Sequence, residues 1–157
     1  MKDILKSLQW FIDNCPDTAI FNKQKILARK SIKNLIVNSK GRYIKYIKNP
    51  SKEIQLLAVK QNGYNIDYIN NPSKGVQLVA VKQNPYNIRF IKNPPEEVQL
   101  AAVEDYVYNI QYIKNPTKLV QLEAVKRRQD ILNNLTDYIK NPCQEIKDML
   151  IIKDIIE

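Results

Sequence analysis

Residues 91–103 read IKNPPEEVQLAAV, and much of the chain is built from copies of this string. Its Asn-Pro pair recurs at intervals of 22 residues and, once, after 26 residues. A short, fixed period indicates one structural unit that is stacked several times, so the fold is predicted from the repeat. The pairs stand at 49–50, 71–72, 93–94, 115–116 and 141–142.

Each copy places apolar and amide side chains at fixed positions after the proline. A branched aliphatic residue comes four positions after it, and in the four complete copies glutamine comes next. At about 100° per residue the glutamine falls on the apolar side of a helix, which predicts a buried row that bonds backbone groups at the turns. We call this row the glutamine ladder. Its members are Gln55, Gln77, Gln99 and Gln121.

Each copy predicts two helices. Asn49 suits the N-cap position and Pro50 the first helical position, which predicts a first helix from about Pro50 to Gln61. Asn62 and the glycine after it favour a break. A second, shorter helix is predicted from about Tyr64 to Ile69. Because helices of this length are marginal alone, both depend on packing against neighbouring copies.

The predicted fold class is all-α, an α-solenoid of short tandem helix pairs with capping helices at its ends. We expect an N-terminal basic helical cap over residues 1–40, tandem repeats over 41–141 and a C-terminal capping helix over 142–157, in a single folded unit. The longer last interval is explained by four extra residues within Arg127 to Leu135.

The Tyr-Ile-Lys-Asn-Pro and Val-Gln-Leu-Ala-Ala-Val strings also have a family resemblance. They resemble the short Asn-Pro helical repeats of a family of unknown function, found in bacteriophage, giant-virus and some bacterial and protist proteins. The resemblance covers roughly residues 41 to 146. It implies a helical repeat fold and a viral or phage-like source, and it implies no activity and no binding residue.

The composition argues against an enzyme. The chain has no histidine and three glycines, and it contains neither a phosphate-binding glycine loop nor a nucleophile elbow. We therefore expect no catalytic residue, no metal ligand and no cofactor. The chain has no apolar run of about 18 residues, so no membrane span is predicted. With no signal peptide, the expected location is the cytoplasm, or the host cytoplasm if a phage encodes the chain.

The net charge of +9 belongs to one end of the chain. Residues 1–52 hold 12 basic and 3 acidic side chains, whereas 53–157 hold 13 of each. A field of one sign would steer an acidic protein, a nucleic-acid backbone or an anionic membrane towards this end. A basic end cap is also an ordinary solubility device. The candidate partner-binding residues are Lys23, Arg29, Lys30, Lys33, Lys40, Arg42, Lys45 and Lys48.

A helix over about Asn22 to Lys40 would divide this segment into two sides. The expected apolar side is Leu27, Ala28, Ile32, Leu35 and Ile36. For the large aromatic residues before it, Trp10, Phe11 and Phe21, core filling is the default. An exposed Trp10 would instead be an interface anchor.

Tyrosine followed by asparagine forms a second recurring feature. Proteins that read single-stranded RNA stack bases on aromatic rings and bond them with amides, so the pairs are candidate stacking sites. Packing between neighbouring copies is the alternative reading of the same tyrosines. The candidate tyrosines are Tyr64, Tyr86 and Tyr108.

Three functions follow as hypotheses. The first is a non-enzymatic interaction scaffold or inhibitor, for example a phage protein that blocks a host defence complex. It would bind an acidic protein or a nucleic-acid-containing complex through its basic end. The second is a module that binds nucleic acid directly, through the basic end and the Tyr-Asn pairs. The third is a self-associating structural protein, since an open solenoid end can pair with its copy.

Overall fold

The computed structural model describes residues 1–128, 138–139 and 141–156. These residues are helical or lie in turns and loops, and none of them belongs to a β-strand. The all-α class is therefore confirmed. The chain divides into two compact units, Met1–Val79 and Ala80–Glu157.

In the first unit, two longer helices precede the first repeat. The elements are α1 (Lys2–Asn14), α2 (Ala19–Asn38), η1 (Arg42–Tyr46), α3 (Lys52–Gln61) and η2 (Gly63–Tyr68). Helix α2 packs against α1 and α3, and the 3₁₀ helix η1 lies against all three. Leu5, Ile36, Ile44 and Val59 are fully buried, so the core of this unit runs from α1 to the repeat helices.

The boundary between the units falls within α4, Lys74–Gln83. The elements after it are η3 (Pro85–Phe90), α5 (Glu96–Asp105), η4 (Val107–Tyr112), α6 (Lys118–Arg127) and α7 (Gln144–Ile156). In the second unit, α5 packs against η3, η4 and α6, and η3 contacts η4. Ile110 and Ile146 are fully buried there. The predicted insertion within Arg127 to Leu135 lies, after Arg128, outside the described residues.

The start of the first repeat helix differs from the prediction. Helix α3 begins at Lys52, and the Ser51 side chain accepts a hydrogen bond from the Ile54 N–H at 3.4 Å. Asn49 has φ 54°. This left-handed backbone, which asparagine tolerates better than most residues, turns the chain before the helix starts. The prediction of Asn49 as N-cap was therefore wrong, and Asn-Pro forms a corner that precedes the cap.

In the three copies whose second helix the structure describes, that helix is a 3₁₀ helix. Element η2 begins at Gly63, one residue before the predicted start. The Asn62 side chain caps it by accepting a hydrogen bond from the Tyr64 N–H at 3.0 Å, and Asn84 does the same for Tyr86 at 3.0 Å. A 3₁₀ helix gains more length per residue than an α-helix, so six residues suffice to reach the next corner.

The glutamine ladder is buried in both units, in agreement with the helical-wheel prediction. Each side-chain amide nitrogen donates to the carbonyl oxygen of the proline five residues earlier, at 2.8 to 2.9 Å. This carbonyl belongs to the corner, where no helical N–H reaches it, so the glutamine supplies the bond that the corner needs. The acceptors are Pro50, Pro72, Pro94 and Pro116.

Candidate partner-binding surface

Helix α2 carries the first four predicted binding residues. Thr18 caps it, its hydroxyl accepting a hydrogen bond from the Phe21 N–H at 3.5 Å. Ala28, Ile32 and Ile36 are buried and fix its inward side. No aspartate or glutamate occurs from residue 18 to residue 52. The opposite side of α2 is thus presented to solvent within a stretch without negative side chains.

That solvent side is apolar as well as basic. Ile20 is 74% exposed, Ile26 62% and Leu27 56%. Leu27 was predicted on the apolar inward side, which was wrong, because at 100° per residue it lies about 140° around the helix from Ile32. Lys23 and Lys30 are exposed between these apolar residues on the same arc. We call Ile20, Lys23, Ile26, Leu27 and Lys30 the α2 outer face.

Two further predicted residues, Arg29 and Lys33, lie along a different edge of α2. They line a cleft of about 600 Å³ together with residues of α1 and of the α3 start. The Lys33 ammonium pairs with the Glu53 carboxylate at 2.5 Å, and Asp13 also lines the cleft. Because acids meet the bases here, the charge of this cleft is mixed, unlike that of the outer face.

The remaining predicted residues follow α2 in the chain. Lys40, Arg42, Lys45 and Lys48 are all exposed. The Lys45 ammonium lies 5.0 Å from the centre of the Tyr46 ring, within the range of a cation–π contact. The eight predicted residues are therefore divided among the α2 outer face, the mixed cleft and the segment after α2.

Lys25 was not among the predicted binding residues, and its buried position explains why it is not part of an exposed binding surface. It is 5% exposed on the inward side of α2, and its ammonium bonds the Asp17 carboxylate at 2.8 Å. The hydrogen bond from Lys25, followed by its charge, lowers the pKa of Asp17 below the ordinary 3.8. The helical wheel places Lys25 with Ile32 and Ile36, so the sequence carried this signal.

The N-terminal aromatic residues divide into two groups. Phe11 and Phe21 meet edge to face with ring centres 6.2 Å apart. Trp10 is 64% exposed, so core filling was the wrong default for it. A large exposed indole in the same unit as the α2 outer face is a candidate interface anchor.

The Tyr-Asn pairs are split between the interior and the surface. Asn65, Asn87 and Asn109 are buried, and their amide nitrogens donate to the carbonyls of Ala58, Ala80 and Ala102 at 2.9 to 3.1 Å. They close the ends of the repeat helices and have no face turned to a ligand. The prediction that these asparagines accompany the tyrosines in base recognition was therefore wrong.

The tyrosines themselves pack against other tyrosines. In the second unit the Tyr86 and Tyr106 ring centres are 5.1 Å apart, and those of Tyr108 and Tyr138 are 5.3 Å apart. A hydrogen bond with Tyr106 raises the pKa of Tyr86. Tyr64 is exposed, whereas Tyr86 and Tyr108 are half-buried. Ring packing thus accounts for much of the surface of two of the three predicted stacking residues.

Across the described part of the chain, no three His, Cys, Asp or Glu side chains are grouped so that they could hold a metal ion. None of the described helices has the length and apolar content needed to cross a membrane. Comparison with protein-family models, curated proteins and solved structures finds no match. The resemblance to the Asn-Pro repeat family stays a prediction.

Proposed function

We propose that this chain is a non-enzymatic binding protein whose α2 outer face engages an acidic partner protein. The observation that carries the proposal is the alternation of Lys23 and Lys30 with exposed Ile20, Ile26 and Leu27. An apolar patch with a charged surround is the usual composition of a protein interface. Lysines without acidic neighbours on the helix select a partner that supplies the carboxylates.

The charge of the first unit supports a fast encounter with such a partner. Residues 1–79 carry 14 basic and 5 acidic side chains, whereas residues 80–157 carry 11 of each. An electrostatic field of one sign raises the association rate. The branched aliphatic side chains then slow dissociation, because they are buried away from water in the complex. Occupation of a nucleic-acid channel in a host complex is one use that we infer for such a surface.

We also infer that the helix pairs stack as a solenoid. Support comes from equivalent positions, which have the same environment in each unit. Val59 and Val103 are fully buried, and Gln55 and Gln99 bond equivalent proline carbonyls. A position that repeats its burial and its bonding at the sequence period is what a stack of like layers requires.

A nucleic-acid-binding module is the second candidate, favoured by the absence of acids from residue 18 to residue 52. The two candidates differ in what they require of the apolar residues. A phosphate backbone is bound by the lysines, and its affinity falls steeply with salt as counterions are released. A protein partner needs Ile26 and Leu27 as well.

The test uses two defined probes, a labelled amphipathic peptide of glutamate and leucine and a labelled DNA duplex. Changing Lys23 and Lys30 together to Glu should weaken peptide binding by at least about tenfold. Changing Ile26 and Leu27 together to Ser should weaken it about tenfold while leaving DNA binding unchanged. Fluorescence anisotropy measures both affinities.

The matched control changes Lys126 and Lys147 to Glu, the same charge change on exposed residues of the second unit. We expect this variant to bind the peptide within about twofold of the original chain. Equal weakening by the control would reduce the proposal to a general charge effect. Binding of DNA alone, insensitive to the serine changes, would instead establish the second candidate.

A further inference from the structure

Two clefts lie at Asn-Pro corners, one in each unit, and the same repeat positions line them. The first corner cleft has a volume of about 370 Å³ and the second about 660 Å³. Each lies between one corner and the next, and the ladder glutamine contributes to its wall. The shared residues that matter for binding are Lys48 and Lys92, Asn49 and Asn93, and Tyr68 and Tyr112.

The chemistry of these shared residues is that of a site for an anionic, extended ligand. No acidic side chain lines either cleft. Tyr68 is 46% exposed and Tyr112 40%. The Lys45 ammonium lies 5.8 Å from the centre of the Tyr68 ring, and the Tyr86 and Tyr112 ring centres are 6.2 Å apart, so each ring has a neighbour and keeps part of its surface open to a ligand. Asn49 and Asn93 are exposed, and their left-handed backbones, with φ 54° and 49°, are part of the corner. A primary amide can both donate to and accept from a peptide group.

One equivalent pair differs between the clefts. The first cleft has Asn70 where the second has Lys114. The second cleft therefore holds two lysines and the first holds one. This difference gives the molecule its own comparison, because the clefts are otherwise alike at the positions named above.

We propose that each corner cleft binds a carboxylate side chain of an extended acidic peptide, the second cleft more tightly than the first. The lysine ammonium groups pair with the carboxylate, the tyrosine ring packs on the methylene carbons beside it, and the corner asparagine bonds the peptide backbone. This site is separate from the α2 outer face, and it does not depend on the function proposed for that face.

The charge of the second unit favours a peptide over a nucleic acid. Residues 80–157 hold equal numbers of basic and acidic side chains, 11 of each. A polyanion with a charge at every phosphate gains little from a balanced surface, because nearby acids repel it as strongly as the lysines attract it. Carboxylates that are spaced along a peptide can instead meet the lysines of the clefts alone.

The test uses the full chain with the Lys23→Glu and Lys30→Glu substitutions. These substitutions remove binding at the α2 outer face, so that only binding at the clefts is measured. The probe is a labelled peptide in which glutamate alternates with serine, measured by fluorescence anisotropy. Lys114→Asn should weaken binding about threefold, and Asn70→Lys should strengthen it about threefold, as expected for one partly solvated ion pair.

Two control variants carry the same charge changes outside the clefts, Lys126→Asn and Gln61→Lys, both at exposed positions. We expect them to leave the affinity within about 1.5-fold. Control variants that match the cleft variants would overturn the proposal. So would a labelled single-stranded oligonucleotide that binds in place of the peptide and responds to Lys114→Asn. Unchanged peptide binding in Tyr112→Leu would remove the ring from the site and contradict the proposed geometry.

Discussion

Equivalent repeat positions are buried alike in the two units, whereas the charges of the two units differ. Val59 in the first unit and Val103 in the second are fully buried, and each lies in a repeat helix with a buried glutamine. Yet residues 1–79 have nine more basic than acidic side chains, whereas residues 80–157 are balanced. The repeat thus conserves what packing requires and leaves the surface free to differ. This difference supports the proposal that the α2 outer face of the first unit binds an acidic partner protein.

The ladder glutamines of the two units also differ in how completely they are bonded. Gln55 bonds the Pro50 carbonyl, and its own side-chain oxygen has no partner within the described residues. Gln99 bonds the Pro94 carbonyl, and its oxygen accepts from the Thr117 N–H at 3.0 Å. Equal burial therefore does not mean an equal contribution to stability.

The largest effect on stability is expected at Gly41, which precedes the first Asn-Pro pair. Gly41 has φ 82°, and a Cβ there would overlap the Asn65 amide nitrogen and the Ala58 carbonyl oxygen. We expect Gly41→Ala to reduce the free energy of unfolding by about 3 kcal/mol, through backbone strain and the lost Asn65 bond. Urea denaturation measures it. A cost below about 0.5 kcal/mol would show that the backbone around Gly41 relaxes to accommodate the new methyl group.

The next effect would sharpen the contrast between the two glutamines. Gln99→Leu leaves both the Pro94 carbonyl and the Thr117 N–H without a partner, and we expect a cost of about 2–3 kcal/mol. Gln55→Leu leaves only the Pro50 carbonyl, and we expect about 1 kcal/mol. Denaturant unfolding of both variants gives the comparison. If the two costs are equal, the additional bond of Gln99 adds nothing measurable.

The smallest effect concerns pH, and it compares one ion pair in each unit. Hydrogen bonds from Lys25 and Lys118 lower the pKa of Asp17 and Glu145, respectively. A carboxyl group whose pKa is lowered in the folded state stabilises the fold at a pH above its ordinary pKa. It loses this contribution as the pH falls through the lowered pKa. We expect the midpoint temperature of thermal unfolding to decrease as the pH is lowered from roughly 5 to roughly 2.

Single variants assign this acid dependence to the units. Asp17→Asn should remove the part that belongs to the first unit, and Glu145→Gln the part that belongs to the second. Thermal unfolding followed by circular dichroism across this range measures both. An acid dependence that neither variant changes would place its origin in other carboxyl groups.

Much of the helical fold could be predicted from the repeat. The period locates the helices, and the wheel places Ile54 and Gln55 inside, since burial at a fixed helical position leaves a fixed residue pattern. The exact start of α3 could not be predicted, because both Asn49 and Ser51 are good N-caps. The backbone angle at Asn49 depends on how the preceding 3₁₀ helix approaches the corner.

The candidate site was predicted in charge but not in arrangement. A count of lysines and arginines locates the basic end, yet it does not separate Lys30, which faces solvent, from Lys33, which pairs with Glu53. Glu53 lies 20 residues further along the chain, on another helix, and only the packing of α3 against α2 brings it near. The exposure of Trp10 likewise depends on how α1 packs.

The period, the apolar positions and the charge of the first 52 residues are properties of the sequence, because each follows from residues near one another in the chain. The clefts beside the Asn-Pro pairs exist only once neighbouring copies are in contact, and so does the bond from the Thr117 N–H to the Gln99 side chain. Asn70 and Lys114 look like ordinary variation in the sequence, and they become comparable because folding brings each beside the corner of the preceding copy. Local patterns fix which residues are buried, whereas the surroundings of each exposed residue are set by contacts between segments distant in the chain.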